Sequence, residues 1–387
     1  EFIFGGFGLN RIYLDNSATT MVCEQAAKKA LEAMTETYGN PSSLHTMGFE
    51  AERELTAARQ AAAELLDARE EEILFTSGGT ESNNLALFGA AQAKRRDGRR
   101  IVTTAIEHPS VLRVMEQLEK QGFEVVYLRP DSAGHISPEQ VEQAVTPDTI
   151  LVSMMLVNNE TGVRLPVESA APAIRRANAP ALFHVDAVQA FGKVPIRPGR
   201  LKIDLLSASS HKIHGPKGAG ILYVREGRHI PPRTFGGGQE KDMRPGTEPM
   251  PAIAGFGAAV RALPPFSEFG EQMSRLNSLC REKLSQIPGI MFNSPEDAVP
   301  YILNFSVPGV RAETMLHYLA SRGVFVSSGS ACAKAKPSHV LAAMDLGRAR
   351  IQTSLRVSLS RYNRPEDIGA LADALSQGLA ELVKRPL

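Results

Sequence analysis

Cysteine is scarce in this sequence, which has only three among its 387 residues. Cys23, Cys280 and Cys332 are an odd number, and none of them belongs to a CxxC pair. The sequence therefore indicates neither a disulfide framework nor a structural zinc site. So few cysteines fit a reducing compartment, and we predict a cytoplasmic protein.

An excess of charge of one sign is also missing. The chain has 43 lysines and arginines against 42 aspartates and glutamates, without a long run of either sign. This balance argues against a protein that binds nucleic acid or a membrane surface. Residues 1–10, EFIFGGFGLN, are too short and too interrupted by glycine for a signal peptide or a membrane span, and we expect them to be an appended leader.

Apolar, β-branched segments alternate with helical segments along the first two thirds of the chain. We predict helices at residues 24–38, 50–69 and 81–95, and strands in EILFT, RIVTTAIEH, FEVVYL, TILVSMMLVNNETG, ALFHVDAV and IDLLSASSH. This alternation is typical of an α/β domain with a largely parallel sheet and helices on both faces. The balanced charge and the 43% hydrophobic content favour an enzyme that acts on small molecules.

The last third of the chain has a different pattern. Long helical stretches there precede the strand-like segments YILNFSV, VFVSSGS and LRVSLSRY, which indicates a smaller α+β domain. We assign residues 21–255 to the large domain and residues 256–387 to the small one. Residues 11–20 are expected to pack with the small domain.

Polar residues follow the predicted strands of the large domain, where ligands of open α/β sheets gather. Gly79 and Thr80 begin a helix, where backbone N–H groups and a hydroxyl can hold a phosphate, although an ordinary helix cap is the alternative. Asp186 ends one strand and Lys212 follows the next. Pyridoxal phosphate needs a lysine for a Schiff base, an acid beside its ring nitrogen and a phosphate cup, so the set predicts a pyridoxal-phosphate site.

Two other patterns have simpler explanations than a ligand site. His211 and His214 lack a third ligand, and we predict no metal site. GFGAAV, from Gly255, contains a lone GxG inside a helical segment, which close helix packing explains better than a dinucleotide site.

Cys332 lies in SSGSACAKAK, a run of small residues in which Lys334 and Lys336 follow the cysteine. A mobile, electropositive setting of this kind favours the thiolate. The alternative is an idle cysteine in a loop of glycine, serine and alanine.

A longer series of motifs carries a family resemblance. YLDNSATT, YGNPSSLH, FTSGGTESNN, EHPSV, VNNETG, HVDAVQ, SSHKIHGPKG, RPGTE and SSGSAC occur in the order expected of class V-type pyridoxal-phosphate enzymes. The set resembles the NifS/IscS-like cysteine desulfurases, from residue 11 to nearly the end of the chain. The resemblance implies the aspartate-aminotransferase-like fold, known as fold type I, and a homodimer.

The resemblance also implies a role for each matching residue. Lys212 would bond covalently to the cofactor, and Arg356 would bind the substrate carboxylate through its guanidinium fork. The other implied contacts are Asp186 at the pyridine nitrogen, Gln189 at the ring oxygen, His108 stacked on the ring, Asn159 beside cofactor and substrate, and Gly79, Thr80, Ser209 and His211 around the phosphate, with Thr247 of the other subunit.

The implied reaction converts L-cysteine to L-alanine. Lys212 or a nearby group would move the α-proton, and His108 is a candidate proton donor or acceptor. The Cys332 thiolate would take the sulfur as a persulfide for an acceptor protein. An iron–sulfur scaffold, a tRNA-thiolation protein and a thiamine-pathway carrier stay open as acceptors. A selenocysteine lyase or another β-eliminating enzyme is the main alternative, ahead of an aminotransferase and a non-catalytic scaffold.

The chain departs from the family pattern at two places. Only residues 333–336 separate Cys332 from PSHV, where a longer segment is expected, and Pro245 replaces a small residue in RPGTE. The first departure bears on how far Cys332 moves and which acceptor it serves.

Overall fold

The computed structural model describes residues 11–307, 309–328 and 337–382. The chain divides into two compact units. The larger unit consists of Thr19–Asn159 and Val163–Gly270. The smaller unit consists of the described residues up to Ala18, the short stretch Glu160–Gly162 and the described residues from Glu271 onward.

A seven-stranded sheet forms the centre of the larger unit. With strands numbered along the whole chain, it contains β2 (Ile73–Thr76), β3 (Arg100–Thr104), β4 (Glu124–Leu128), β5 (Thr149–Met155), β6 (Leu182–Asp186), β7 (Leu205–Ser209) and β8 (Gly220–Val224). The spatial order is β2-β8-β7-β6-β5-β3-β4. The five strands from β4 to β7 in this order run parallel, whereas β8 is antiparallel to both β7 and β2. The prediction of a largely parallel sheet is confirmed.

Helices precede, separate and follow the strands of this sheet along the chain. They are α1 (Glu24–Thr35), α2 (Thr46–Leu66), α3 (Gly79–Lys94), α4 (Pro109–Lys120), α5 (Pro138–Ala144), α6 (Ala170–Arg176), α7 (Pro198–Leu201) and α8 (Met250–Arg261). β5 and β6 are buried along their whole length, which explains their nearly continuous apolar sequences. The core between sheet and helices contains Leu87 of α3 and Met115 of α4, which are fully buried.

The smaller unit contains two short sheets. β12 (Ser354–Ser358), β10 (Ile302–Ser306) and β9 (Met291–Phe292) form an antiparallel sheet, and β1 (Ile12–Tyr13) pairs in parallel with β11 (Val324–Phe325). The helices are α10 (Ala312–Ser321), α11 (His339–Ala343), α12 (Arg348–Gln352) and α13 (Pro365–Glu381), together with most of α9 (Phe266–Ser285).

The division between the units differs from the one we expected. The predicted boundary at residue 256 falls inside α8, whereas the contacts divide the chain after Gly270. The reason is the close packing of α8 in the larger unit: a Cβ on Gly257 would lie 2.7 Å from the Ala58 Cα, and one on Gly255 would lie 3.0 Å from the Ala26 carbonyl oxygen. The glycines of the GFGAAV segment therefore allow α8 to pack closely against α1 and α2, as predicted. At the other end, the division falls after Ala18 rather than after residue 20.

None of the helices in the described part of the chain has the length and hydropathy needed to cross a membrane. Within the same residues, no group of three or more histidine, cysteine, aspartate or glutamate side chains is arranged to hold a metal ion.

Candidate active site

Asp186 and Lys212 lie at the carboxyl ends of two neighbouring parallel strands. Asp186 is the last residue of β6 and pairs in register with Ser207 of β7. Ser209 ends β7, and a single turn of 3₁₀ helix, Ser210–Lys212, follows directly. The strand ends therefore bring an acid and a lysine to one edge of the sheet, where the sequence predicted them.

The turn between β2 and α3 approaches the same strand ends. Gly78 has a φ of +149°, a conformation that favours glycine, and Gly79 begins α3. A Cβ on Gly220 would lie 2.6 Å from the Gly78 Cα, so the turn packs directly on β8. The Ser209 Oγ lies 3.7 Å from the position of a Gly78 Cβ, is buried, and has no hydrogen-bond partner among the described residues. A helix N-terminus beside an unpaired buried hydroxyl fits a phosphate group.

His211 lies in the 3₁₀ turn that follows Ser209 and carries no charge at neutral pH. Burial, together with the charges of Lys212, Lys217 and Lys193, lowers its pKa to about 4. Its Nδ1 lies 3.1 Å from the Thr19 Oγ1. The neutral ring is therefore available as a hydrogen-bonding group among several positive charges, which suits an anionic ligand.

His214 has a structural role instead. Its backbone N–H donates to the Thr20 Oγ1 at 2.8 Å, and its Nδ1 lies 2.8 Å from the Met21 carbonyl oxygen. These contacts attach the segment after Lys212 to the start of the larger unit. They account for this histidine without a metal ion.

Asp186 is held in a buried position by two donors. The Val188 N–H donates to Oδ1 at 3.0 Å, and the Asn83 Nδ2 donates to Oδ2 at 2.8 Å. Asp186 and Gln189 are each 5% exposed. The sequence analysis did not single out Asn83, whose only signal was its place in the FTSGGTESNN motif.

His108 caps the N-terminus of α4 and borders a cavity. Its Nδ1 accepts the Ser110 N–H at 3.1 Å and lies 2.8 Å from the Ser110 Oγ. The cavity has a volume of about 450 Å³, and its lining includes Thr80, Asn84 and Arg113. A predicted phosphate residue and a predicted ring-stacking residue thus line one cavity.

Glu107, next to His108, is a second residue that the sequence analysis missed. It is fully buried, and its Oε1 accepts hydrogen bonds from the Thr104 Oγ1 at 2.7 Å and the Met155 N–H at 2.9 Å. Burial, with a smaller contribution from the charge of Asp186, raises the pKa of Glu107 to about 8. The side chain is therefore protonated at neutral pH.

We expect Glu107→Gln to remove a pH dependence of stability. Because the folded-state pKa lies above the value of 4.5 for an unperturbed glutamate, wild type loses stability relative to this variant as the pH rises from about 4.5 to above 8. The relative loss should be on the order of 2–4 kcal/mol. Urea unfolding of both proteins in the same cofactor state, at pH 5 and pH 8.5, measures it. An equal pH dependence in the two proteins would show that Glu107 is ionised in the fold.

Arg356 lies on β12 in the smaller unit and is 2% exposed. Its Nη2 donates to the Asp15 Oδ1 at 2.8 Å, and its backbone exchanges two hydrogen bonds with Ser327. Burial raises the pKa of the nearby Glu160 to about 7, against the opposing effects of a hydrogen bond from Ser338 and the charge of Arg356. Asp15 is the carboxylate in direct contact with the guanidinium group.

Three predicted residues remain, namely Asn159, Thr247 and Cys332. Asn159 is the last residue of the first segment of the larger unit. Thr247 is exposed, in a loop that Arg244 attaches to Glu81 of α3 through a 3.0 Å ion pair. Cys332 lies outside the described residues.

Comparison with known proteins agrees with this geometry. A family model described as aminotransferase class-V matches residues 12–371. A protein named cysteine desulfurase IscS, from Methanosarcina thermophila, is 41% identical over 96% of this chain and 92% of its own length. The solved structure of a NifS-like protein has a TM-score of 0.91 at 38% identity, covering 96% of this chain and 100% of its own. Another, described as SspA in complex with cysteine, has a TM-score of 0.81 at 35% identity, covering 91% and 99%. The predicted fold class is confirmed, and the chain belongs to the class V aminotransferase family.

Proposed function

We infer that the protein is a pyridoxal-phosphate-dependent cysteine desulfurase, which converts L-cysteine to L-alanine. The likeness to a cysteine desulfurase over 96% of the chain carries the inference. The neighbouring structure described as a complex with cysteine supports the same substrate. When bound, the cofactor supplies a carbonyl carbon for the substrate amine and a ring that withdraws electrons from the α-carbon.

We propose that the edge of the large sheet holds this cofactor. Lys212 forms the covalent bond, Asp186 pairs with the ring nitrogen, and Ser209 with Gly79 and Thr80 holds the phosphate. The unpaired hydroxyl of Ser209 supports the assignment, because a phosphate oxygen would accept its hydrogen. His211 contributes a ring that lies near the charges of Lys212, Lys217 and Lys193, a setting that suits the phosphate anion.

The assignments of His108, Gln189 and Asn159 rest on the family likeness together with their positions. His108 is assigned to the ring face by the family likeness, and it lines a cavity together with Thr80. Gln189 follows Asp186 on the same connection and is equally buried, which supports a contact with the ring oxygen. Asn159 is assigned to the cofactor and the substrate by the family likeness alone.

We propose that Arg356 binds the substrate carboxylate. A guanidinium group offers parallel N–H donors that match a carboxylate, and Asp15 holds one of them at 2.8 Å and thereby fixes the plane of the group. Its low exposure means that water competes weakly for the guanidinium group.

Arg356→Lys is expected to raise the KM for L-cysteine about 10- to 100-fold with a smaller effect on kcat, because an ammonium cannot pair with a carboxylate through two parallel hydrogen bonds. The matched control is Arg350→Lys. Arg350 donates to the Asn293 Oδ1 and the Phe292 carbonyl oxygen, so its replacement should lower stability and leave the KM unchanged. Steady-state alanine formation measures both, and an unchanged KM in Arg356→Lys would refute the assignment.

We propose that Cys332 accepts the sulfur. The Cys332 thiolate attacks the substrate sulfur, the carbon–sulfur bond breaks with its electron pair going to the β-carbon, and that carbon then takes a proton to give alanine. The sulfur stays on Cys332 as a persulfide. Lys334 and Lys336 favour the thiolate through their charge.

Partners and location are further proposals. We propose a homodimer in which Thr247 of each chain reaches the phosphate bound by the other; the exposure of this side chain in the single chain supports it. Light scattering at assay concentration tests this, and a catalytically competent monomer would contradict it.

We further propose a cytoplasmic enzyme that passes sulfur to an acceptor protein of an iron–sulfur, thiolation or thiamine pathway. The low cysteine content supports that location.

The function is tested by giving the purified, cofactor-loaded protein L-cysteine and a reductant. Alanine and sulfide should form in equal amounts. Selenocysteine in place of cysteine distinguishes the lyase alternative, which predicts turnover of selenocysteine only. Pyruvate in place of alanine would indicate a β-eliminating enzyme instead.

A further inference from the structure

A continuous chain of hydrogen bonds joins Asp186 to His108 across two helices. The Asn83 Nδ2 lies 2.8 Å from the Asp186 Oδ2 and 2.8 Å from the Ser110 Oγ. The Ser110 Oγ in turn lies 2.8 Å from the His108 Nδ1. Asn83 is fully buried, and Ser110 is 8% exposed, so water does not replace these contacts. Neither Asn83 nor Ser110 has a part in the function described so far.

The chemistry of Asp186 determines which groups donate and which accept in this series of hydrogen bonds. The carboxylate of Asp186 only accepts, so the Asn83 amide must turn its nitrogen, not its oxygen, toward it. The second N–H of the same nitrogen points to the Ser110 Oγ. The Asn83 Oδ1 is left buried without a hydrogen-bond partner among the described residues, which shows that the carboxylate dictates the amide orientation.

The direction of these bonds determines the proton position on His108. The Ser110 Oγ lies 2.8 Å from the His108 Nδ1, and its hydrogen is directed there because that nitrogen already accepts a backbone hydrogen bond. The Ser110 backbone N–H donates to the same nitrogen at 3.1 Å. With two donors directed at it, Nδ1 carries no proton, and the neutral ring has its hydrogen on Nε2.

Several elements bring other groups toward His108. On its own helix, Arg113 is exposed and paired with Glu116. Glu107, next in sequence, is bonded to Thr104 and Met155. From α3, the cavity lining has the uncharged side chains of Thr80, Asn84 and Phe88. At Nδ1 itself, the structure describes contacts with the hydroxyl and the backbone N–H of Ser110.

We propose that Asn83 and Ser110 are positioning residues that hold His108 in its Nε2–H form, so that His108 acts in the desulfurase reaction as a hydrogen-bond donor and not as the base. The inference rests on the proposed function for its catalytic meaning only. In this form Nδ1 accepts hydrogen bonds from Ser110 and Nε2 carries a hydrogen. Neither nitrogen then has a lone pair available to remove a proton. Removal of the α-proton then belongs to Lys212, and His108 stabilises negative charge that develops on the substrate or the cofactor.

The test is ¹⁵N NMR of the full-length, histidine-labelled protein, with and without cofactor, at a pH where the imidazoles are neutral. The His108 signals are assigned by their loss in His108→Gln. In wild type, Nδ1 should have the shift of an unprotonated nitrogen and Nε2 that of a protonated one. In Ser110→Ala and Asn83→Ala, the Nδ1 shift should move toward that of a less hydrogen-bonded nitrogen. The kcat for alanine formation should fall about three- to tenfold, which corresponds to the loss of one hydrogen bond. The KM should stay within about twofold of the wild-type value.

Two further variants separate positioning from folding. Ser110→Thr keeps the hydroxyl and should retain the wild-type nitrogen shifts and kcat. Ser153→Ala is the matched control, because the Ser153 Oγ lies 2.9 Å from the His184 Nδ1 in the buried sheet, a similar serine–histidine contact outside the Asp186 chain. This control should lose stability without altering the His108 signals or kcat.

Three results would overturn the proposal. They are a protonated Nδ1 in wild type, unchanged His108 shifts in both Ser110→Ala and Asn83→Ala, or loss of the wild-type shifts in Ser153→Ala. If the proposed function is wrong, wild type will form no alanine from L-cysteine, a result that is distinct from these three. The NMR spectra of the cofactor-free chain would still determine the proton position.

Discussion

Lys212→Ala should abolish alanine formation from L-cysteine and remove the visible absorbance of the protein. Lys212 follows β7 directly, beside the end of β6 that carries Asp186. An alanine there can neither form the covalent bond to the cofactor nor move the α-proton, so we expect kcat to fall by at least about 10³-fold. Absorbance after gel filtration and an alanine assay measure the two effects.

Lys217→Ala is the control for this prediction. Lys217 belongs to the same SSHKIHGPKG motif and is exposed. Its removal should leave the absorbance and most of the activity in place. If Lys212→Ala kept a visible band that survives buffer exchange, another lysine would hold the cofactor.

Cys332→Ala should bind cofactor and substrate normally and fail in sulfur transfer. Lys212, Asp186 and Arg356 are unaltered in this variant, but no thiolate is left to take the sulfur. We expect alanine formation to fall at least about 100-fold. The measurement gives both proteins L-cysteine without reductant, quantifies alanine, and weighs tryptic peptides that contain residue 332. Wild type should show one added sulfur on this peptide.

The two other cysteines provide the controls. Cys23 and Cys280 are each 1% exposed, and burial raises the pKa of Cys280 to about 12, so that it remains a thiol. Cys280→Ala should therefore desulfurate cysteine like wild type, at a modest cost in stability. Full alanine production by Cys332→Ala would remove the carrier role of Cys332.

The sequence predicted the sheet and the strand-end residues because both follow from local patterns. ALFHVDAV and IDLLSASSH are apolar segments that end in polar residues, and parallel neighbours bring such ends together. The prediction did not include β8, since GILYV follows the lysine loop closely and nothing local gives its antiparallel direction. The start of α2 at Thr46 rather than Glu50 depends on His45, whose Nδ1 accepts the Gly48 N–H.

The polar contacts behind the site were beyond the reach of sequence reasoning. Asn83 and Ser110 lie on different helices and meet only because α3 and α4 pack against the same sheet. Likewise, the protonation of Glu107 depends on complete burial, which a polar residue in EHPSV does not indicate. The division of the contacts after Gly270, rather than at residue 256, was beyond reach in the same way, because the packing of Gly257 against Ala58 is a tertiary contact.

The composition of the two units has a consequence for the order of events during synthesis. Nearly all of the larger unit is one stretch of chain that ends at Gly270, and it contains the proposed cofactor residues from Gly79 to Lys212. The smaller unit joins residues before Thr19 to residues after Gly270, and the Asp15–Arg356 ion pair links side chains 341 positions apart. Because domains fold as they leave the ribosome, N-terminal first, the cofactor-binding surface is expected to form while the last third of the chain is still being made. Arg356, the residue proposed to bind the substrate carboxylate, acquires its partner only afterwards, so we expect cofactor capture to precede the ability to bind substrate.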